Sequence, residues 1–113
     1  MLAREAVLAA LVGMLLEMED YEPVFPEPGE RPEEAIDRLR PPMVIVLDGE
    51  MDVARSDLFF ARCEQQRMRV VLFNEPVAAD AVRAVARARR CEFFSMPVER
   101  QELGAVLARA VAG

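Results

Sequence analysis

Apolar residues fall into two patterns along this chain. In the first, they follow one another without a polar break: Val44, Ile45, Val46 and Leu47 are consecutive and stop at Asp48 and Gly49. Such a run predicts a strand covered on both faces, as in parallel sheets flanked by helices. It delivers Asp48 to the rim of the sheet, where folds of that kind bind ligands. Residues 70–73 repeat the pattern and end at Asn74. Phe93 and Phe94 predict a shorter strand leading into Ser95, Met96 and Pro97, and residues 21–25 predict another. Pro23 and Pro26 assign this last strand to a sheet edge, where missing backbone donors do no harm.

In the second pattern the apolar residues recur at helical spacing. Residues 2–19 predict a helix that is apolar nearly all round and therefore sunk into the core. Residues 33–39 predict two turns, opened by Pro32 and ended by Pro41 and Pro42. Ser56 is the expected N-cap of a helix over 57–66, with Leu58, Phe59 and Cys63 pointing inward. Pro76 opens a helix through Arg90 whose Ala81, Val82, Val85 and Ala86 face the sheet, while Arg83, Arg87 and Arg90 form a basic stripe elsewhere on its surface. The last helix, over 99–111, buries Leu103, Val106, Leu107 and Ala110. PEPGERP, residues 26–32, reads as a loop. Helices and strands thus alternate from end to end, which predicts a doubly wound α/β sheet of about four strands and five helices. The 113 residues suffice for one domain, 1–113, with a single core.

Charge and composition narrow the chemistry. The net charge of −6 argues against nucleic acid as a partner. Residues 1–50 carry twelve acids and four arginines, whereas residues 51–113 carry eight acids and ten arginines. That polarity favours oriented contacts with a protein or a second copy. Histidine, lysine, threonine and tryptophan are absent. The usual general bases, Schiff-base amines and imidazole metal ligands are therefore excluded, and an enzyme is not expected. Cys63 and Cys91 lack metal-ligand spacing and are expected to be free, buried and inert in a reducing cytoplasm. The apolar run over residues 6–16 is eleven residues long, too short for a membrane span. It has a weak likeness to a signal peptide through Arg4, but Glu5 and the lack of a cleavage site oppose that.

Three pieces, LLEMEDYEPVF (15–25), VIVLDGEM (44–51) and FFSMPVERQEL (93–103), stand in an order and spacing that resembles the receiver domains of two-component response regulators, over essentially the whole chain. The resemblance implies a flavodoxin-like sheet whose aspartate takes a phosphoryl group from a histidine kinase. In that family Mg²⁺ is held by the acceptor and by two acids just after the first strand. A lysine neutralises the phosphoryl charge, and a threonine or serine hydrogen-bonds it and shifts the domain between two states. Carried over residue by residue, Asp48 matches the phosphoacceptor and Glu50 the position whose carbonyl reaches the metal. Asn74 falls on the threonine or serine, Met96 on the lysine, and Phe93 on the switch aromatic. Asp52 replaces a proline, and Arg55 with Ser56 replaces Asp-Gly. Arg89 replaces a helix-ending glycine, at a cost of about 1 kcal/mol if its backbone is left-handed.

On this likeness the chain begins inside the family's first helix, so the first strand and its acidic pair are expected to be missing. In the order 2-1-3-4-5 that strand is central, which would leave an edge of residues 43–47 open. Three repairs suggest themselves: a start farther upstream, closure of residues 22–25 onto 44–47, or pairing of two chains along the edge, of which the homodimer is expected. Asp48 and Glu50 alone make a poor Mg²⁺ shell, so no cofactor is expected, and Met96 reads as a plug in the lysine's space. A cis Met96-Pro97 bond, as the corresponding Lys-Pro bond commonly is in that family, would support an intact loop around the site, and a trans bond would weaken the carry-over. The functional expectation is a cytoplasmic receiver-like module that works by protein–protein contact through Arg83, Arg87 and Arg90. The alternatives are a phosphorylatable receiver, with Mg²⁺ and a histidine kinase as partner, and a structural oligomerisation unit. Neither nucleic acid nor membrane is expected as a partner.

Overall fold

The computed structural model describes residues 1–39 and 44–112. Met43, Pro41 and Pro42, which figure in the expected strand and helix stop, lie outside them. The elements run α1 (Ala6–Met18), α2 (Pro32–Arg38), β1 (Val44–Asp48), α3 (Asp57–Gln65), β2 (Arg69–Asn74), α4 (Ala79–Arg89), β3 (Glu92–Ser95) and α5 (Arg100–Ala112). Short 3-10 turns precede α3 and α4. The three strands form one parallel sheet in the order β1-β2-β3.

Side chains of the sheet alternate between two apolar layers, as the strand repeat of two requires. Val46, Val71, Phe73 and Phe94 pack with Leu8, Val12 and Leu16 of α1 and Leu103, Val106 and Leu107 of α5. Ile45, Leu47 and Leu72 pack instead with Ile36 of α2, Phe59 of α3, and Val82 and Ala86 of α4. Phe73 and Phe94 stack across adjacent strands with centroids 5.7 Å apart. The Ser56 side chain accepts the Phe59 N–H at 3.1 Å and caps α3, a contact of about 1 kcal/mol. The Met96-Pro97 bond is cis.

Several expectations need correction. α1 starts at Ala6, not at residue 2, and it is not sunk into the core: Val7, Leu11, Met14 and Met18 are exposed. Leu58 and Ala81 also face outward, because Phe59 and Cys63 on α3, and Val82 and Ala86 on α4, already fill the contact with the sheet. The left-handed residue after α4 is Arg90, with φ 58°, rather than Arg89, which is still helical.

Residues 21–25 form no strand, so the sheet has three strands among the described residues, not four. The inner edge of β1 is not left wholly open, and residues 22–25 do not close onto it. Leu2 stands there in a parallel bridge to Leu47. Its N–H donates to the Val46 carbonyl at 2.8 Å, and its carbonyl accepts the Asp48 N–H at 2.7 Å. The Met1 nitrogen in turn donates to the Val24 carbonyl at 3.0 Å. Met1 and Leu2 thus link residues 21–25 to the edge of β1.

Both cysteines are free, with Cys63 buried and Cys91 only half-buried. Burial, reinforced by the neighbouring Cys91, pushes the Cys63 thiol from 9.0 up to about 12. The folded chain keeps that proton where the unfolded chain releases it, so stability is undiminished below pH 9.0 and falls as the pH rises towards about 12. Iodoacetamide at mildly alkaline pH should leave Cys63 unmodified until the chain is denatured. Peptide mapping that finds Cys63 alkylated in the folded protein would contradict this placement.

Candidate functional site

β1 ends at the rim of the sheet, and Asp48, its last residue, is fully buried there. A buried carboxylate needs compensation, because an unpaired charge is costly away from water. Asp48 finds it in Arg4. The guanidinium Nε donates to Asp48 Oδ2 at 2.8 Å, and the Arg4 backbone N–H approaches the same oxygen at 3.3 Å. Oδ1 accepts the Glu50 N–H at 3.0 Å. Arg4 then extends its second arm to Glu50, with Nη2 2.6 Å from Oε2. One guanidinium thus bridges two carboxylates through charge-assisted hydrogen bonds. The Asp48 hydrogen bond is the main cause raising the pKa of Arg4 above its usual value, with the negative charges of Asp48, Glu50 and Glu75 adding to it.

The backbone explains why Arg4 is there. The Leu2–Leu47 bridge aligns the first residues with β1, and the chain turns into α1 just past the rim. The residue two places after Leu2 is thereby carried over Asp48. Gly49 lets the loop beyond β1 pass close to α4: its N–H donates to the Phe73 carbonyl at 2.8 Å, and a Cβ on it would lie 2.5 Å from Val82 Cγ1.

The other expected positions make their contacts elsewhere. Asn74 is buried at the end of β2, where its amide donates to the Glu75 carbonyl at 2.8 Å and accepts the Ser95 hydroxyl at 3.1 Å. Its own carbonyl accepts the Met96 N–H at 2.8 Å. Asn74 therefore ties the tips of β2 and β3 together, and none of these bonds reaches Asp48. Met96 is buried in the layer with Val46, Phe73, Phe94 and Leu103. Phe93 is half-buried, with the Arg83 guanidinium 5.6 Å from its ring centroid. Arg87 and Arg90 are exposed and make no ion pair among the described residues.

The contacts of Asp48 and Glu50 decide what these two carboxylates can hold. Mg²⁺ requires several oxygen ligands in octahedral geometry. Here Asp48 and Glu50 already bind a permanent cation, and a metal beside them would face the guanidinium at contact distance. The residues present do not fit the ion that the family resemblance implies. What the arrangement can do is clamp the start of the chain to the loop after β1.

Arg4 is the site residue that the sequence reading missed. Asp48 has in Arg4 a charge partner that Met96, at the position of the family's lysine, does not supply. The signal was the string MLARE: an apolar pair able to end a strand, followed by two charged residues before the alanine-rich helix. Reading residues 2–19 as one helix concealed it. Compared with family models, curated proteins and solved structures, the chain shows no match.

Proposed function

We propose that the chain is an atypical receiver-like signalling module that acts by protein–protein contact, without phosphoryl transfer or other catalysis. The observation that carries this reading is the Arg4 bridge between Asp48 and Glu50, which places a fixed positive charge where the resembled family would bring a metal. The parallel sheet with Asp48 at the end of β1 supports the fold side of the reading. So does Met96, packed as an apolar plug where the family has a lysine. The exposed Arg83, Arg87 and Arg90 on α4 supply a face for a protein partner in the cytoplasm, and the acid-rich first half of such a chain is one surface that complements it.

The test is to incubate the protein with Mg²⁺ and acetyl phosphate and weigh it intact. The expected result is an unchanged mass. A phosphoryl adduct that disappears in Asp48→Asn would replace this reading with that of a phosphorylatable receiver served by a histidine kinase.

A further inference from the structure

Leu2 covers only the part of the β1 edge nearest Asp48, and a cavity of about 620 Å³ lies beside the remainder, along Val44, Ile45 and Val46. It reaches both apolar layers of the sheet: Leu16 of α1 and Leu107 of α5 line it from one, and Ile36 of α2 from the other. A volume of that size is ordinary for a small-molecule site, and such sites combine apolar walls with a few polar groups that orient the ligand. Here the basic groups on the wall are Arg67 and Arg69. Both are exposed, and neither makes an ion pair among the described residues. Arg69 is paired across the sheet with Val44, at the end of β1 away from Asp48, so the positive charge is gathered at one end of the apolar space. Glu22 is the one acid on the wall among the described residues.

We propose that this cavity binds a free aliphatic monocarboxylate of medium chain length, its carboxylate held by Arg67 and Arg69 and its hydrocarbon body lying along β1 towards Leu2. Each half of such a ligand answers one observation. The apolar wall rewards a chain that carries no polar group, by about fourfold in affinity for each methylene buried. The planar fork of a guanidinium matches the two oxygens of a carboxylate and binds them through charge-assisted hydrogen bonds. Charge sets the number of acidic groups: two arginines against Glu22 leave one positive charge on the wall, which a single carboxylate neutralises. A phosphate ester would bring more negative charge than the wall balances, and a neutral lipid would leave both arginines without a partner. The site lies at the opposite end of β1 from Asp48 and is independent of how that residue functions.

Tyr21 reports on the site directly, because it lines the cavity and is the only tyrosine in a chain without tryptophan. Its fluorescence should change saturably as sodium decanoate is added below its micelle concentration. Octanoate, shorter by two methylenes, should bind roughly 15-fold more weakly. Decanol, which lacks the charge, should bind about 10-fold more weakly or worse. In the double variant Arg67→Gly with Arg69→Gln, decanoate should bind no more tightly than decanol, while decanol binds as it does to the natural chain. Arg67 has a φ of 58°, so glycine suits the turn after α3, and the variant removes the guanidinium without straining the backbone. The proposal is overturned by the absence of saturable binding, by octanoate or decanol binding as tightly as decanoate, or by a double variant that keeps the natural preference for decanoate. Should that variant fail to fold, the comparison of decanoate with decanol on the natural chain decides.

Discussion

Replacing Arg4 with aspartate is expected to turn the surroundings of Asp48 and Glu50 into a divalent-cation site. The substitution removes the guanidinium that binds Asp48 and Glu50 and puts a third carboxylate at the position it reaches from. Three clustered carboxylates repel one another, so the metal-free variant should be less stable than the natural chain. Mg²⁺ relieves that repulsion, and a site with few carboxylates should bind it with a dissociation constant on the order of 1 mM. At ten times that concentration the linkage stabilises the folded state by about 1.4 kcal/mol. That corresponds to roughly 6 °C in melting temperature for a domain of this size. Thermal melts of the two proteins with and without MgCl₂ provide the comparison. The natural chain should show no specific shift, and an equal shift in both would mean that Arg4 does not exclude the metal.

The second large effect is expected at Gly49. Its φ is unremarkable, so the need for glycine comes from space: an added Cβ would meet Val82 Cγ1 at 2.5 Å and Cγ2 at 2.9 Å. Neither partner can yield easily. Val82 is buried between α4 and the sheet, and the Gly49 N–H is tied to the Phe73 carbonyl. Gly49→Ala should therefore cost about 2 kcal/mol by overpacking. Val82→Ala removes both clashing methyl groups and leaves only the Val82 Cβ, at 3.2 Å. Combined, the two substitutions should cost at least about 1 kcal/mol less than the sum of their separate effects, because they share one contact. Urea unfolding of the four proteins measures this, and strict additivity would show that the loop relaxes away from α4.

The elements inside the sheet were plainly legible in the sequence, and those at its edge were not. β1, β2 and β3 are built on unbroken apolar runs that each stop at a polar residue, so their positions follow from burial on both faces. Leu103, Val106, Leu107 and Ala110 of α5 are buried as their spacing predicts. α1 misled because apolar residues all round a helix do not reveal which face meets the sheet. Only the packing of Leu8, Val12 and Leu16 settles that, and it leaves the Val7–Met18 stripe uncovered. Leu2 was absorbed into the helix because a single bridged residue has no periodicity to detect. Once Leu2 was misplaced, Arg4 could not be connected to Asp48, which lies 44 residues away. The expectation for Asn74 was right in position, at the end of β2, and incomplete in chemistry, since its partners Ser95 and Glu75 depend on how the strand tips meet.

The central claim is that Arg4 is the charge partner of Asp48, and a double-mutant cycle on stability measures that coupling directly. Arg4→Ala strands a buried carboxylate, Asp48→Asn removes the charge that the guanidinium faces, and the double variant lacks both. Urea unfolding of the four proteins should give a coupling energy of about 2 kcal/mol, the Arg4→Ala loss being much smaller when residue 48 is already neutral. A coupling within about 0.3 kcal/mol of zero would mean that the two residues act independently and that Asp48 is compensated by some other means.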